Sequence, residues 1–155
     1  MLVKVKTEVH LGSRRLRCLK RSLGRMLESV TPGQDLELSV MMVDAEAMRQ
    51  LNLEYLGRNE PTDVMAFPQA APGEIGWDTH GGGRRALLGD IVICVPVARQ
   101  QARERGETLA RELELLAAHG LLHLVGYGDR TPEEKRKMYA METELLGRTI
   151  IRDEY

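Results

Sequence analysis

The sequence has little of what secreted, membrane-spanning or nucleotide-binding proteins are built on. It holds two cysteines in 155 residues, Cys18 and Cys94, with no Cys-x-x-Cys spacing. That argues against a disulfide framework and points to reduced thiols in a reducing compartment. Both lie in apolar or basic contexts and are expected to be buried structural residues rather than metal ligands. Met1-Leu2-Val3-Lys4-Val5-Lys6 has no signal-peptide core, and no apolar run approaches the roughly eighteen residues of a membrane span. A cytoplasmic protein with no membrane association is expected. Net charge is −1, so the global balance names no polyanionic partner. No glycine-rich loop has Walker or dinucleotide spacing, so no nucleotide cofactor is expected, and repeats, heptads and low-complexity tracts are missing.

What remains is an ordinary globular composition, 43% hydrophobic and 29% charged, in a length that fits one domain over residues 1–155. Residues 2–10 alternate as a half-buried strand. Gly12-Ser13 offers an N-cap for a helix to about Ser29, in which Leu16, Leu19, Leu23, Met26 and Leu27 recur at helical spacing. Its other face carries Arg14, Arg15, Arg17, Lys20, Arg21 and Arg25, with no acid between His10 and Glu28. Such a face is either solvated surface or a patch that neutralises nucleic-acid phosphates. After the turn at Thr31-Pro32-Gly33, Leu36–Val43 reads as a second strand, and Asp44 caps a helix that stops near Leu56-Gly57. Prolines at both ends make Pro61–Pro68 a short or edge strand. Gln69–Arg85, rich in Gly and Pro, reads as a mobile surface loop with His80 exposed. Leu87–Val95 is apolar enough to be buried on both faces. Pro96 opens a helix to about Arg105, Thr108 begins the next, and Thr131-Pro132-Glu133-Glu134 starts the last, with Met138, Met141 and Leu145 inward. The order β-α-β-α-β-β-α-α-α predicts an α+β single domain: a mixed four-stranded sheet packed with about five helices.

The helix from Thr108 carries the chemistry. His119 and His123 are four apart, so both imidazoles can address one point. Gly126 is a natural stop, and Asp129 is the first strong ligand type beyond the turn. Two histidines and one further ligand leave a coordination position open, as catalytic zinc sites do. This places a metal site at the end of a central helix, although half-buried structural histidines fit the same spacing. The residue after His119 is Gly120, not the glutamate that serves zinc peptidases as general base, so a reading as a zinc hydrolase of peptides or small molecules loses most of its support. Glu112, two turns before His119, is one acceptor for a ligating ring, with a plain surface role as the alternative.

His119-Gly120-Leu121-Leu122-His123-Leu124-Val125-Gly126-Tyr127 resembles the signature of the YbeY-type endoribonucleases, His-Gly-x-x-His-Leu-x-Gly-Tyr-Asp-His. Pro61-Thr62-Asp63-Val64-Met65-Ala66-Phe67-Pro68 is similar to the family's Pro-Thr-Asp-Val-Leu-Ser-Phe-Pro. Leu88-Gly89-Asp90-Ile91 matches its Leu-Gly-Asp-Ile, and Leu51-Asn52 fits as well. The resemblance implies a metal-dependent, single-strand-specific endoribonuclease that acts in 16S rRNA 3′-end processing and ribosome quality control. It also implies one Zn2+ ion and, as partners, single-stranded RNA or rRNA and the small ribosomal subunit.

Two positions depart from the pattern. Gly128-Asp129-Arg130 stands where the family has Asp-His, so without a gap Asp129 occupies the third histidine's place. With Gly128 as an insertion, Arg130 would occupy it, but a guanidinium has no lone pair to give. Either way the expected metal ligands are His119, His123 and Asp129, a set that other divalent metals also accept. The family's arginine after Leu-Asn and an aromatic falls at Leu56, and Arg58 is the expected replacement. The catalytic groups are then Arg58 and a water activated by the metal. The alternative is a ribosome-assembly or RNA-binding factor whose nuclease activity is weak or lost because Asp129 replaces the histidine.

Overall fold

The computed structural model describes residues 1–69 and 86–150. These fold as one domain in the predicted order: β1 (Leu2–Thr7), α1 (Ser13–Val30), β2 (Leu36–Val43), α2 (Ala45–Leu56), β3 (Val64–Pro68), β4 (Ala86–Cys94), α3 (Val95–Arg105), α4 (Leu109–Leu124) and α5 (Pro132–Leu146). The sheet runs β1-β2-β4-β3. β1, β2 and β4 are parallel, and β3 closes the edge antiparallel to β4. An edge place suits β3, because Pro68 has no N–H to give a second neighbour. Beyond Gln69, the expected loop and His80 lie outside the described residues.

Alternation in the strands divides the apolar residues between two faces. Leu36, Leu38, Val40 and Met42 of β2 join Leu88, Ile91 and Ile93 of β4 in the main core, against Leu23 and Leu27 of α1 and Leu113, Ala117 and Leu121 of α4. Val43, Val92 and Cys94 face the other way, with Met48 of α2 and Met65 of β3. Helices therefore cover both faces, and α4 lies in the middle of the larger core. No helix among the described residues is long and apolar enough to cross a membrane.

Local chemistry explains most boundaries. Asp44 and Thr108 cap α2 and α4 by accepting from Ala47 N–H and Arg111 N–H. Thr131 and Glu134 form a reciprocal capping box on α5. α1 differs from expectation: Gly12 holds the cap position and no side chain caps the helix, with Ser13 already inside it. Cys18, expected to be buried, is exposed, because the turn of the helix from buried Leu19 back to position 18 carries it off the apolar stripe. Cys94 is buried as expected, and burial pushes its thiol pKa up.

Candidate metal centre

The last turn of α4 brings both histidines to one place, and the turn after it delivers the aspartate. α4 ends in a Schellman arrangement: Gly126 N–H donates to the His123 carbonyl at 3.1 Å and Tyr127 N–H to the Leu122 carbonyl at 2.9 Å. Gly126 has φ +106°, which glycine adopts without strain. The loop that follows is pinned from α5. Glu134 Oε2 accepts from Arg130 N–H at 2.8 Å, and a Cβ on Gly128 would stand 2.7 Å from that same oxygen. Glycine at 128 thus makes room for the carboxylate that fixes the loop, and Asp129 is turned back toward the histidines.

Three ligand atoms converge there. His119 Nε2 and His123 Nε2 are 3.0 Å apart, and Asp129 Oδ2 is 3.6 Å from the first and 3.2 Å from the second. Tetrahedral zinc with bonds of about 2.0–2.1 Å has ligand-to-ligand edges of roughly 3.3–3.4 Å. The observed edges straddle that value, so the donor set fits a metal ion without rearrangement. Both rings are partly buried, whereas the Asp129 side chain is 46% exposed, so the site opens to solvent on the aspartate side. Burial first, and then the neighbouring His119, hold the His123 pKa below the usual imidazole value; Asp129 and the Tyr127 backbone oppose the shift. A depressed pKa keeps that ring neutral, the form in which its nitrogen can donate to a metal.

Sequence reasoning missed the group behind His119. Glu142 of α5, 0% exposed, places Oε1 2.6 Å from His119 Nδ1. A carboxylate accepts, so Nδ1 carries the ring proton and the Nε2 lone pair faces the cluster. The sequence signals its burial but not its partner: Glu142 follows Met138 by four residues and so falls within the inward stripe of α5. Glu112 does not have this part. It is buried on α4, and both its oxygens accept from Arg105 Nη1 of α3, at 2.8 and 2.9 Å. Neither the ring contact nor the surface role expected for it is found.

Gly120 has a steric reason. A Cβ there would lie 2.9 Å from Ile91 Cγ2, so α4 approaches β4 closely where a peptidase would carry glutamate. Gly89 is tighter still, at 2.5 Å from the Phe67 carbonyl oxygen. Asn52 is buried and donates to the Glu60 carbonyl at 2.7 Å, while Asp63 Oδ1 accepts from Val64 N–H at 2.7 Å; both shape the segment between α2 and β3. Arg58 is exposed on that segment, its backbone N–H on the Asn52 carbonyl. Among the described residues no hydrogen bond or ion pair joins it to the histidines or Asp129. The basic face of α1 is not brought to the site either, since α1 packs on the opposite half of α4 through Ser22 and Glu114.

Comparison with known proteins gives the family. The family described as Endoribonuclease YbeY matches residues 4–149. An Endoribonuclease YbeY from Salinispora tropica is 44% identical over 126 residues, 77% of this chain and 78% of the relative. One from Frankia casuarinae is 44% identical over 111 residues, 71% of this chain, and there the match spans about half of the relative's own length, 55%. The solution structure of TM1509 from Thermotoga maritima superimposes with a TM-score of 0.60 at 27% identity, covering 94% of this chain and 89% of that one. With a family match over nearly its whole length and a relative at this identity and coverage, the chain belongs to the YbeY endoribonuclease family.

Proposed function

We propose that the protein is a metal-dependent, single-strand-specific endoribonuclease of rRNA maturation, acting on the 3′ end of 16S rRNA at the small ribosomal subunit in the cytoplasm. The observation that carries the reading is the triangle of His119 Nε2, His123 Nε2 and Asp129 Oδ2, with edges of 3.0–3.6 Å, in a chain of this family. His119, His123 and Asp129 are the metal ligands, and Zn2+ is the ion that suits two imidazoles and a carboxylate in a tetrahedral site with one open position. When bound, zinc supplies Lewis acidity and lowers the pKa of water toward neutrality.

The chain's own residues do the rest. Glu142 keeps the His119 proton on Nδ1, so Nε2 remains a donor throughout. The Gly126 turn and the Glu134 clasp on the following loop hold Asp129 in place without burying it, which leaves a solvent-facing approach for an RNA phosphate. Arg58, exposed before β3, is assigned to hold a phosphate oxygen of the substrate. The reading in which Asp129 disables the site has less support, because the carboxylate reaches within 3.2 Å of His123 and so supplies the third donor itself.

Elemental analysis of the purified protein, run beside a cleavage assay on single-stranded RNA, tests the proposal. One zinc per chain, with cleavage abolished by EDTA and restored by added zinc, is expected. Full RNA cleavage in EDTA-treated, metal-free protein would refute it.

A further inference from the structure

The outer face of α1 is a feature that the metal centre leaves without a role. Arg14, Arg17, Arg21 and Arg25 lie within an arc of about 80° at roughly 100° per residue, on the side opposite Leu19, Leu23 and Met26. They are exposed and rise over about 16 Å of helix. The helix holds six cations, Glu28 as its single acid, and no acid in its first turn, in a chain whose net charge is −1. Among the described residues Arg14, Arg17, Lys20 and Arg21 make no ion pair, and Arg25 reaches the hydroxyl of Ser22.

An ordinary solvated helix would not be written this way. Arg17 and Arg21, and again Arg21 and Arg25, are like charges four apart, which repel. Arg14 and Arg15 stand at the positive end of the helix dipole, where acids are favoured. α1 carries both penalties and has no side-chain cap to offset them. Concentrated, unpaired positive charge that weakens its own helix is relieved by a polyanion.

The face is also remote from the histidines. Arg15, Cys18 and Leu19 line a crevice with Ala110, Arg111 and Glu114 near the start of α4. From Ala110, His119 and His123 lie nine and thirteen residues further along α4, on the order of 13 and 20 Å at 1.5 Å per residue, and Arg25 at the other end of the face lines a crevice with Glu114 and Glu144 rather than with the histidines. Accepting the RNA-cleaving role, we propose that the outer face of α1 is a second RNA-contact surface, separate from the metal centre, that grips the phosphate backbone of RNA flanking the scissile strand. It serves long rRNA substrates and is idle on fragments too short to span both places.

The test uses the zinc-loaded full chain with Arg14→Gln, Arg17→Gln and Arg21→Gln combined. Glutamine keeps helix propensity and removes repulsion, so far-UV circular dichroism is expected to be unchanged. The probes are a 16S rRNA precursor fragment and a short oligoribonucleotide carrying the same cleavage sequence. Expected are about tenfold weaker binding of the long RNA, a salt slope lower by roughly two to three units at 0.7–0.9 per lost phosphate contact, and unchanged turnover of the oligonucleotide. The triple lysine variant should retain the original affinity and slope. Unchanged affinity for the long RNA overturns the proposal, and so does an equal loss on both substrates, which would place the arginines at the metal centre. If the unaltered protein cleaves neither RNA, the nuclease reading fails, while the binding comparison still decides whether α1 holds RNA.

Discussion

Replacing Glu142 separates a designed support from a chance contact. Its carboxylate is 0% exposed and sits 2.6 Å from His119 Nδ1, so the pair exchanges a charge-assisted hydrogen bond away from water. Such bonds contribute ~1.5–3 kcal/mol, and a buried donor left without its acceptor costs ~1–3 kcal/mol. Removing the partner behind a metal-ligating histidine lowers metal affinity about 10–100-fold. Glu142→Ala is therefore expected to weaken zinc binding by that factor, and also to lower the stability of metal-free protein. Glu142→Gln keeps the shape and an acceptor oxygen but loses the charge, so its affinity should fall between the two. Competition against a chromophoric chelator measures the first effect, and urea unfolding of the metal-free chain measures the second. A folded Glu142→Ala protein that holds zinc as tightly as the unaltered chain would refute the reasoning.

Three further outcomes follow from the same geometry. Asp129→Ala should lower zinc affinity and RNA cleavage together while leaving the urea midpoint nearly unchanged, since the side chain is 46% exposed and outside the core; Asp129→His should keep zinc if position 129 is the true third ligand, and loss of the metal in that variant would argue against an ungapped match. Gly120→Ala should destabilise the fold by ~1–3 kcal/mol, because a Cβ there meets Ile91 at 2.9 Å, and equilibrium unfolding with an unaltered midpoint would show that the core can yield. The pH dependence of metal-free stability has a sign set by His123. Its folded pKa is depressed below 6.5, so the unfolded chain binds the proton more readily, and the stability present above about pH 6.5 is lost as pH falls through the folded value. His123→Gln should flatten that slope in urea titrations at pH 8 and pH 5.5, and an identical slope would count against burial of the neutral ring.

The elements were legible because their boundaries are local. Asp44, Thr108 and Thr131 announce helix starts through their own side chains, and Gly57, Gly106 and Gly147 end helices in left-handed conformations that few other residues adopt. The proline pair around β3 foretold an edge strand by the same local logic. Cys18 misled because it stands next to buried Leu19, and one residue of rotation decides which side a helical residue faces.

Partners across elements were not legible. Glu112 and Glu142 are both acids on buried helix faces, and nothing near either one says which will meet a histidine. Glu112 shares a helix face with His119, yet seven residues at 1.5 Å hold it about 10 Å away along the axis, and Arg105 reaches it first. Glu142 is twenty-three residues from His119 and touches it only because α5 folds back on α4 after the Gly126 turn. The same fold-back decides the status of Asp129. Read by position, Asp129 was the expected third ligand; with its loop held by the Glu134 clasp, its carboxylate stands 3.2 Å from His123 Nε2, close to the edge a tetrahedral metal site requires. A departure from a family's residue type is damaging only when the geometry that carried the old side chain cannot present the new one, and here the held loop brings the carboxylate of Asp129 within 3.6 Å of both imidazoles.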